Sequence, residues 1–521
     1  MNRLDITTND IRHEGGFVES SLQTRVPATI PVMVTDVANS ARKMMERIEF
    51  REAQNAHALV EMWLESNVGV VSAIRPVAHA TERFADMAPS TLFWDCMDGR
   101  TQNRRRNGYP IGVGEILRTD GARVNNMGPS NKSYRRRLYR VKMEAEHRRS
   151  QALILPFGHF ATIGTGCAAH GESYDQALSC VQDHARRVQE AGKGLVVAIP
   201  GMVNTDEKSL QFHCPGGILD IGALLDQLGM ERCTQAFQQT FLDTPITDPL
   251  TAPTVDGMSP SELYSGEEPP VFANPQYTIA MQEYLLRRIV DALSRNGQNG
   301  LREVFQDDLV GAVHEKMNSV KDVAPSVRAT LFHQALWNPA YVIYQRSVLR
   351  RMSDQDRYRH CSHSEIGVGF GDGFRTIGNN DLLIVKEGQE DDRIPLGIAK
   401  DVLTHIRQQA TSAFPPFVHV NWMVEEEINS WEAFREALMN VRTLLEIAFE
   451  VCGQNMCAIT SYSYRNEHIF YPVRVIDDDR LTFDPDLRGD TRNFNPHRLH
   501  ANERDYVAET LVRAKRRART A

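Results

Sequence analysis

Two cysteines and one histidine stand next to runs of apolar residues and carry the side chains that bind transition metals. Cys96 ends an apolar run that begins at Thr91, His159 closes a second run that begins at Leu153, and Cys167 follows eight residues after His159. Thiolate and imidazole are ligands that suit zinc. Three protein ligands leave the fourth tetrahedral position to water, as in a catalytic zinc site. The sequence therefore predicts Zn²⁺ bound by Cys96, His159 and Cys167.

Two charged residues follow Cys96 at alternate positions, so Asp98 and Arg100 can face the same side as Cys96. A carboxylate held by a guanidinium in a forked pair stays ionised and presents a fixed acceptor to a zinc-bound water. Zinc lowers the pKa of such a water toward ~7. We therefore predict catalytic roles for Asp98 and Arg100. A further hypothesis is that Asp98, once released by Arg100, moves onto the metal and blocks it; crystal structures with Asp98 on Arg100 at both low and high pH would refute it.

Length and composition indicate a globular protein of more than one domain. The chain has 521 residues, of which 41% are hydrophobic and 24% charged, and two or three domains are expected at this length. The net charge of −8 gives no reason to expect binding to nucleic acid. The first residues lack a basic region followed by an apolar core, so no secretory signal is expected. Eight cysteines in so long a chain are not a disulfide framework and favour a reducing cytoplasm.

One stretch without Lys, Arg, Asp or Glu, residues 152–171, has the length of a membrane span. It contains Pro156, four glycines and two histidines, which argue against exposure to lipid. We interpret it as a buried strand followed by a site loop and expect no membrane span.

Apolar periodicity predicts alternating strands and helices, and hence an α/β fold. The pattern favours helices over 134–150, 174–190, 277–296 and 329–351, a buried parallel strand over 194–200 and an edge strand over 211–213. We predict four parts: a flexible arm (1–33), an N-terminal helical region (34–88) with a helix starting near Thr35, a zinc-bearing catalytic domain with a helical extension (89–352), and a C-terminal domain (353–521).

The last third resembles the middle of the chain with its ligands lost. Gly369–Arg375 stands where a Cys-x-Asp-Gly-Arg element would be, 417–420 corresponds to the His159 strand, 431–449 to the following helix, and 456–460 with 468–471 to the next two strands. Glu427 occupies the position of the second cysteine, and no cysteine stands beside Asp372. We therefore predict a degenerate structural duplicate.

Other residues leave alternatives open. His170 is either an alternative ligand together with Cys180 or a loop residue near the site that relays protons, and Cys180 otherwise packs on the apolar face of its helix. The following features are interpreted as structural or solvated, with a functional alternative: the arginine-rich helix 134–150, His213-Cys214, His360-Cys361-Ser362-His363 and the basic segment 513–519. Gly112-x-Gly114 lacks the third glycine and the βαβ context of a dinucleotide site.

The Cys96-Met97-Asp98-Gly99-Arg100 element, followed by Gly158-His159 at a strand end and a second cysteine, resembles the β-type carbonic anhydrase superfamily. In ordinary β-type enzymes the second cysteine follows the histidine more closely. The segment Gly166-Cys167-Ala168-Ala169-His170-Gly171 resembles the carboxysome shell carbonic anhydrase family, the ε-type branch. Further likeness lies in Asn204-Thr205-Asp206, Asn338-Pro339-Ala340-Tyr341 and Gly371-Asp372-Gly373-Phe374, and it covers about 90–480 with gaps.

The resemblance implies a β-carbonic-anhydrase-like catalytic domain, a degenerate duplicate that replaces the second subunit of a β-type dimer, and an N-terminal helical region. It implies a zinc-dependent lyase (carbonate dehydratase) in which a zinc-bound hydroxide reversibly hydrates carbon dioxide to bicarbonate, serving carbon fixation. It also implies a homo-oligomer, a dimer or higher, inside a carboxysome in the cytoplasm, with Rubisco or shell proteins as partners. The His159–Cys167 spacing and the segment before Cys96 are both shorter than in that family.

Two alternatives remain at this point. One is a hydrolase of a related small molecule, carbonyl sulfide or carbon disulfide. The other is a catalytically inactive scaffold of a bacterial microcompartment. Intact Cys96, Asp98, Arg100, His159 and Cys167 argue against the scaffold, because a scaffold has no need of all five.

Overall fold

The computed structural model describes residues 77–101, 103–110, 112–123, 132–229, 275–296, 301, 308–317, 320, 323–350, 352–361, 365–370, 381–386, 417–424, 457–464, 471–473, 475–476 and 480–481. Several predicted features lie outside these residues: the arm 1–33, the helix from Thr35, Asp372, Glu427, the helix 431–449 and the segment 513–519.

The described part of the chain is an α/β fold built on one large mixed sheet. Its strands are β1 (Thr91–Cys96), β2 (Glu115–Thr119), β3 (Ala152–Phe160), β4 (Val196–Ala198), β5 (Gly201–Asn204), β6 (Leu210–Cys214), β7 (Gly217–Asp220), β8 (Glu365–Phe370), β9 (Asp381–Lys386), β10 (Phe417–Val424), β11 (Cys457–Tyr464) and β12 (Tyr471–Val473). They lie in the order β12-β11-β10-β9-β8-β2-β1-β3-β5-β6-β7, with β4 also on β3, and β13 (Val475–Ile476) and β14 (Arg480–Leu481) form a separate ribbon.

The helices cover both faces of the β1–β3 part of this sheet. They are α1 (Ala78–Met87), α2 (Asn103–Asn107), α3 (Lys132–His147), α4 (Tyr174–Gly192), α5 (Ile221–Leu228), α6 (Pro275–Asn296), α7 (Asp308–Met317), α8 (Pro325–Arg350) and α9 (Asp354–Cys361). Alternate strand residues face opposite layers: Phe93 packs in a core with α6 and α8, and Leu92 and Trp94 pack in a second core with α3 and α4. Strands buried on both faces read as continuous apolar runs, which is why β1 and β3 were recognisable in the sequence.

Helix α1 is part of the first core although it lies in the region predicted to precede the catalytic domain. Phe84 is fully buried, and its ring lies 5.0 Å from that of Tyr109 and 5.3 Å from that of His333. Helix α1 also packs against α6.

The strand predicted over 194–200 is shorter than expected: β4 covers only Val196–Ala198, and the next strand, β5, begins at Gly201. β4 pairs with Ala152–Ile154 of β3, and β5 pairs with Phe157–Phe160. Pro156 has no N–H to donate to a ladder, and it lies at the gap between the two. Its other side faces Trp94 of β1, where parallel pairing continues.

The prediction that residues 211–213 form an edge strand is wrong. β6 pairs with β5 on one side and with β7 on the other, both antiparallel. β7 has four residues, begins at Gly217 with a φ of 122° and exposes its first two residues, so it carries no apolar run that a sequence pattern would detect.

The second half of the sheet shares part of the layout of the first. β10, β11 and β12 repeat the parallel–parallel–antiparallel pairing that links β3, β5 and β6 to their neighbours. The first two strands differ in order: β1 lies between β2 and β3, whereas β9 lies between β8 and β10. β8 joins the halves by antiparallel pairing with β2, with Leu117 opposite Phe370.

Candidate metal centre

The fold brings the three predicted ligands together. Cys96 ends β1, and His159 lies near the end of the adjacent parallel strand β3, so both side chains reach the same edge of the sheet. Cys167 arrives from the loop after β3, and its Sγ lies 3.9 Å from Sγ of Cys96. The potential ligand atoms of all three lie within 4.8 Å of one another, and all three residues are buried. In the described part of the chain, this is the one group of His, Cys, Asp and Glu side chains with such geometry.

The two thiols share a hydrogen bond, and their pKa values are shifted in opposite directions. Burial raises the pKa of Cys96, but the hydrogen bond from Cys167 and the positive potential of His159 outweigh it and hold the pKa well below its ordinary value. The same hydrogen bond, followed by burial, raises the pKa of Cys167 well above its ordinary value. Cys96 is therefore the thiol of the pair that ionises more readily, and the ionised thiol is the form that binds a metal.

Asp98 and Arg100 form the predicted forked pair beside the ligands. Nε of Arg100 lies 3.1 Å from both carboxylate oxygens of Asp98, and an Nη donates to Oδ2 at 2.7 Å. Both side chains are almost fully buried, and Oδ2 lies 3.5 Å from Nε2 of His159. The carboxylate therefore stands next to the ligand set with its orientation fixed.

Asp98 and Arg100 form the predicted pair, but the prediction that they alternate along extended chain is wrong. The strand ends at Cys96, and Gly99–Thr101 is a 3₁₀ turn rather than extended chain with alternating side chains. The two residues meet because Asp98 Oδ1 also accepts the backbone N–H of Arg100 at 2.9 Å, which folds the chain back on the carboxylate.

Arg100 also makes two contacts that bind the site to distant segments. Its Nη groups donate to the carbonyl oxygen of Thr165 at 2.8 Å and to that of Cys361, at the end of α9, at 2.5 Å. Burial opposes its charge, but Asp98 outweighs burial and raises the pKa of Arg100. The fork thus stays charged while it connects the site loop with the start of the C-terminal part.

Two buried arginines that the sequence did not single out hold the Cys96–Thr101 segment. Arg118 of β2 donates to the carbonyl oxygens of Cys96 and Asp98, each at 3.1 Å. Arg106 pairs with Asp95 at 2.6 Å, with both side chains fully buried, and donates to the carbonyl of Thr101. An arginine inside an apolar strand such as β2 is a signal that could have marked Arg118, because a buried guanidinium needs several acceptors.

Asn338 of α8 holds the turn between β5 and β6 through the hydrogen bonds of its buried side-chain amide. Its Nδ2 donates to the carbonyls of Lys208 at 2.9 Å and Arg106 at 3.2 Å, and its Oδ1 accepts from the N–H of Leu210 at 2.9 Å. Lys208 is itself buried, and burial lowers its pKa to about 8.

The alternative ligands do not join the centre. Nε2 of His170 lies 2.8 Å from the carbonyl oxygen of Gly121, and Sγ of Cys180 lies 3.9 Å from Nε2 of His184. Burial lowers the pKa of His184 to about 4, and its ring stacks on Trp94. The proton-relay role of His170 stays a prediction.

Two further cysteines weighed as alternatives have structural surroundings. Sγ of Cys214 lies 3.8 Å from Sδ of Met317. Cys361 is buried against the site loop, and burial raises its thiol pKa to about 12. Residues 362–363 lie outside the described part of the chain.

The donor set fits zinc, although other soft or borderline divalent metals also accept it. Two sulfurs and one ring nitrogen can occupy three corners of a tetrahedron and leave one open.

Among the described helices, none is long and apolar enough to cross a bilayer. No protein-family model matches the chain, and no curated protein matches it at a significant level.

Proposed function

We propose that the protein is a zinc carbonic anhydrase that interconverts carbon dioxide and bicarbonate. The observation that carries the proposal is the convergence of Cys96, His159 and Cys167 beside a carboxylate that Arg100 holds in a fork. The sequence motifs that carry these residues are the ones that resemble the carboxysome shell branch of the β-type carbonic anhydrases. The α/β fold and the buried Cys-His-Cys group support the proposal without being specific to it.

Each residue has a role that follows from its surroundings. Zinc in this site would act as a Lewis acid and lower the pKa of a water in its open position. The Asp98 carboxylate, kept ionised and oriented by Arg100, can accept a hydrogen bond from that water and fix its direction. Arg118 keeps the backbone of Cys96 and Asp98 in place, so that the ligand and the acceptor keep one mutual geometry.

The resemblance extends the proposal beyond the site. We propose that the C-terminal part is a degenerate duplicate, that the protein forms a dimer or higher homo-oligomer, and that it serves carbon fixation in a carboxysome with Rubisco or shell proteins as partners. The shared strand pairing of β10–β12 supports the duplicate, whereas the exchanged order of β8 and β9 limits the correspondence to the later strands.

Elemental analysis together with stopped-flow measurement of carbon dioxide hydration tests the proposal. We expect one zinc per chain and hydration above the buffer rate, and Cys96→Ala should lose both. Cys180→Ala is the matched control, because its thiol lies on α4 and contacts His184 instead of the centre. A chain without bound metal would favour an inactive scaffold. Zinc without hydration, but with turnover of carbonyl sulfide or carbon disulfide, would identify the related hydrolase.

A further inference from the structure

The loop that carries Cys167 is held by one buried carboxylate. Asp206 Oδ2 accepts the backbone N–H groups of Thr162 at 2.5 Å and Ile163 at 2.6 Å, and Oδ1 accepts that of Gly164 at 3.2 Å. The hydroxyl of Thr162 adds a fourth hydrogen bond at 2.9 Å. Asp206 is buried although Thr162 and Ile163 are exposed, so these charge-assisted bonds form on the protected side of the loop.

Asp206 itself stands on a rigid support. Its N–H donates to Oδ1 of Asn204 at 3.0 Å, and the preceding residue, Thr205, donates from N–H to the carbonyl of Phe160 at 2.8 Å. Lys208 Nζ donates to the carbonyl of Thr205. The carboxylate is therefore fixed relative to β3, which carries His159, and to β5.

The far end of the same loop is held by Arg100 of the Asp98–Arg100 fork. Arg100 donates to the carbonyl of Thr165, two residues before Cys167. Gly164 lies so close to Cys361 that a methyl group there would overlap the Cys361 carbonyl oxygen. Between Phe160 and Cys167 the chain has no helix or strand of its own, so these contacts take the place of a backbone ladder.

The three ligands thus differ in how they are held. Cys96 and His159 belong to paired strands, whereas Cys167 depends on a loop tied at Asp206 and Arg100. We propose that Asp206 is a positioning residue of the metal centre, which sets the place of the Cys167 thiolate and through it the affinity for the metal. This inference rests on the proposed zinc site, and it assigns to Asp206 a role toward the ligand instead of toward the substrate.

Asp206→Asn removes the charge and leaves one carbonyl oxygen where two carboxylate oxygens accepted the four donors of the loop. Its NH₂ group would then face backbone N–H groups. Losing an outer support of a metal ligand weakens binding about 10- to 100-fold. We therefore expect zinc affinity, measured by competition with a chromophoric chelator, to fall by about that factor. In the cobalt-substituted protein, the thiolate-to-cobalt charge-transfer band should lose the share that one of two thiolates contributes, a change that general destabilisation would not cause.

Asp183→Asn is the matched control, since Asp183 is a carboxylate of α4 that pairs with Arg186 and Arg187 on the surface. It should leave both affinity and spectrum unchanged. Asp206→Asn with an unchanged spectrum and affinity, on a wild-type protein that binds metal, would overturn this inference and leave the proposed function standing. A wild-type protein that binds neither zinc nor cobalt would overturn both.

Thr162→Val keeps the proposal testable if Asp206→Asn does not fold. It removes only the hydroxyl bond to Asp206 and nearly preserves side-chain shape. Because the three backbone donors to Asp206 remain, cobalt affinity should fall by less than in Asp206→Asn, by about threefold to tenfold. Affinity equal to wild type would then overturn the proposal.

Discussion

Breaking the buried Asp98–Arg100 fork should lower the free energy of unfolding more than breaking an exposed ion pair in the described part of the chain. Both side chains are almost fully buried, at 1% and 3% exposure, so solvent screening does not reduce the interaction. Removing one partner of such a pair leaves a buried charge uncompensated and costs about 3–5 kcal/mol. Arg100→Leu should therefore lower the free energy of unfolding by about that amount. It also leaves the carbonyls of Thr165 and Cys361 without the guanidinium.

The double variant separates the charge effect from lost packing. Asp98→Asn alone should also destabilise, because Arg100 keeps only carbonyl acceptors. When both are replaced, neither buried charge remains, so the combined loss should be smaller than the sum of the single losses by about 2–3 kcal/mol. Urea unfolding followed by both circular dichroism and fluorescence measures the cycle, with zinc content recorded for each variant.

Two results would refute this reasoning. If the losses in the free energy of unfolding of the two single variants simply add in the double variant, the interaction between Asp98 and Arg100 contributes no stability despite its geometry. A loss below about 1 kcal/mol for Arg100→Leu would place it with exposed pairs, which are worth about that or less. Arg186→Leu serves as the comparison, because its pairs with Asp183 and Glu190 are exposed and should contribute little.

Three further expectations follow from other parts of the molecule. Burial lowers the pKa of His333 from 6.5 to about 3, so as pH falls from 6.5 toward 3 the unfolded chain takes up a proton at this residue before the folded protein does, and the fold is destabilised. Between pH 7 and pH 4.5, the free energy of unfolding of His333→Gln, measured by urea titration, should therefore decrease by about 2–3 kcal/mol less than that of wild type. Asn338→Leu leaves two carbonyls and one N–H unsatisfied in the interior, and should lower the free energy of unfolding by about 3 kcal/mol or more, measured by denaturant titration. Chelation should lower the melting temperature of wild type, because ligand at 100 times its Kd contributes about 2.7 kcal/mol; Cys96→Ala should melt at the same temperature with and without chelator.

The sequence was sufficient for the two strand-borne ligands and insufficient for their supports. Apolar runs ending at Cys96 and His159 predict parallel strands, and the ends of parallel strands meet at one sheet edge, so the meeting of these two was predictable. Cys167 depended on chain spacing alone. Asp206 and Cys361 were noted only as members of short motifs, and nothing local indicated their contacts with the site, because those contacts span more than forty and more than two hundred residues of chain, respectively.

Errors in the predicted elements have similar local causes. β7 was missed because its short sequence lacks apolar alternation, and its pairing is fixed by the turn at Gly217. The strand over 194–200 was predicted too long, because Ile199 and Pro200 lie between β4 and β5, and Pro200, like Pro156 on β3, has no N–H to donate to a ladder. The pairing partner, which a single segment does not encode, decides the first case, whereas a proline within the segment contributes to the second.

The same division between strand and loop predicts how the centre fails. Strand ladders constrain Cys96 and His159 even if a side chain nearby is changed, whereas the position of Cys167 is the result of a few hydrogen bonds from Asp206 and Arg100. Arg100 contributes to both the carboxylate and the loop, so a change that moves it disturbs the acceptor Asp98 and the ligand Cys167 together. Asp206 holds the loop by its own hydrogen bonds, whereas the guanidinium of Arg100 holds Asp98, so the loss of Asp206 should weaken metal binding while the hydrogen bonds of the fork remain. Comparing these two variants separates a fault in holding the metal from a fault in orienting the water.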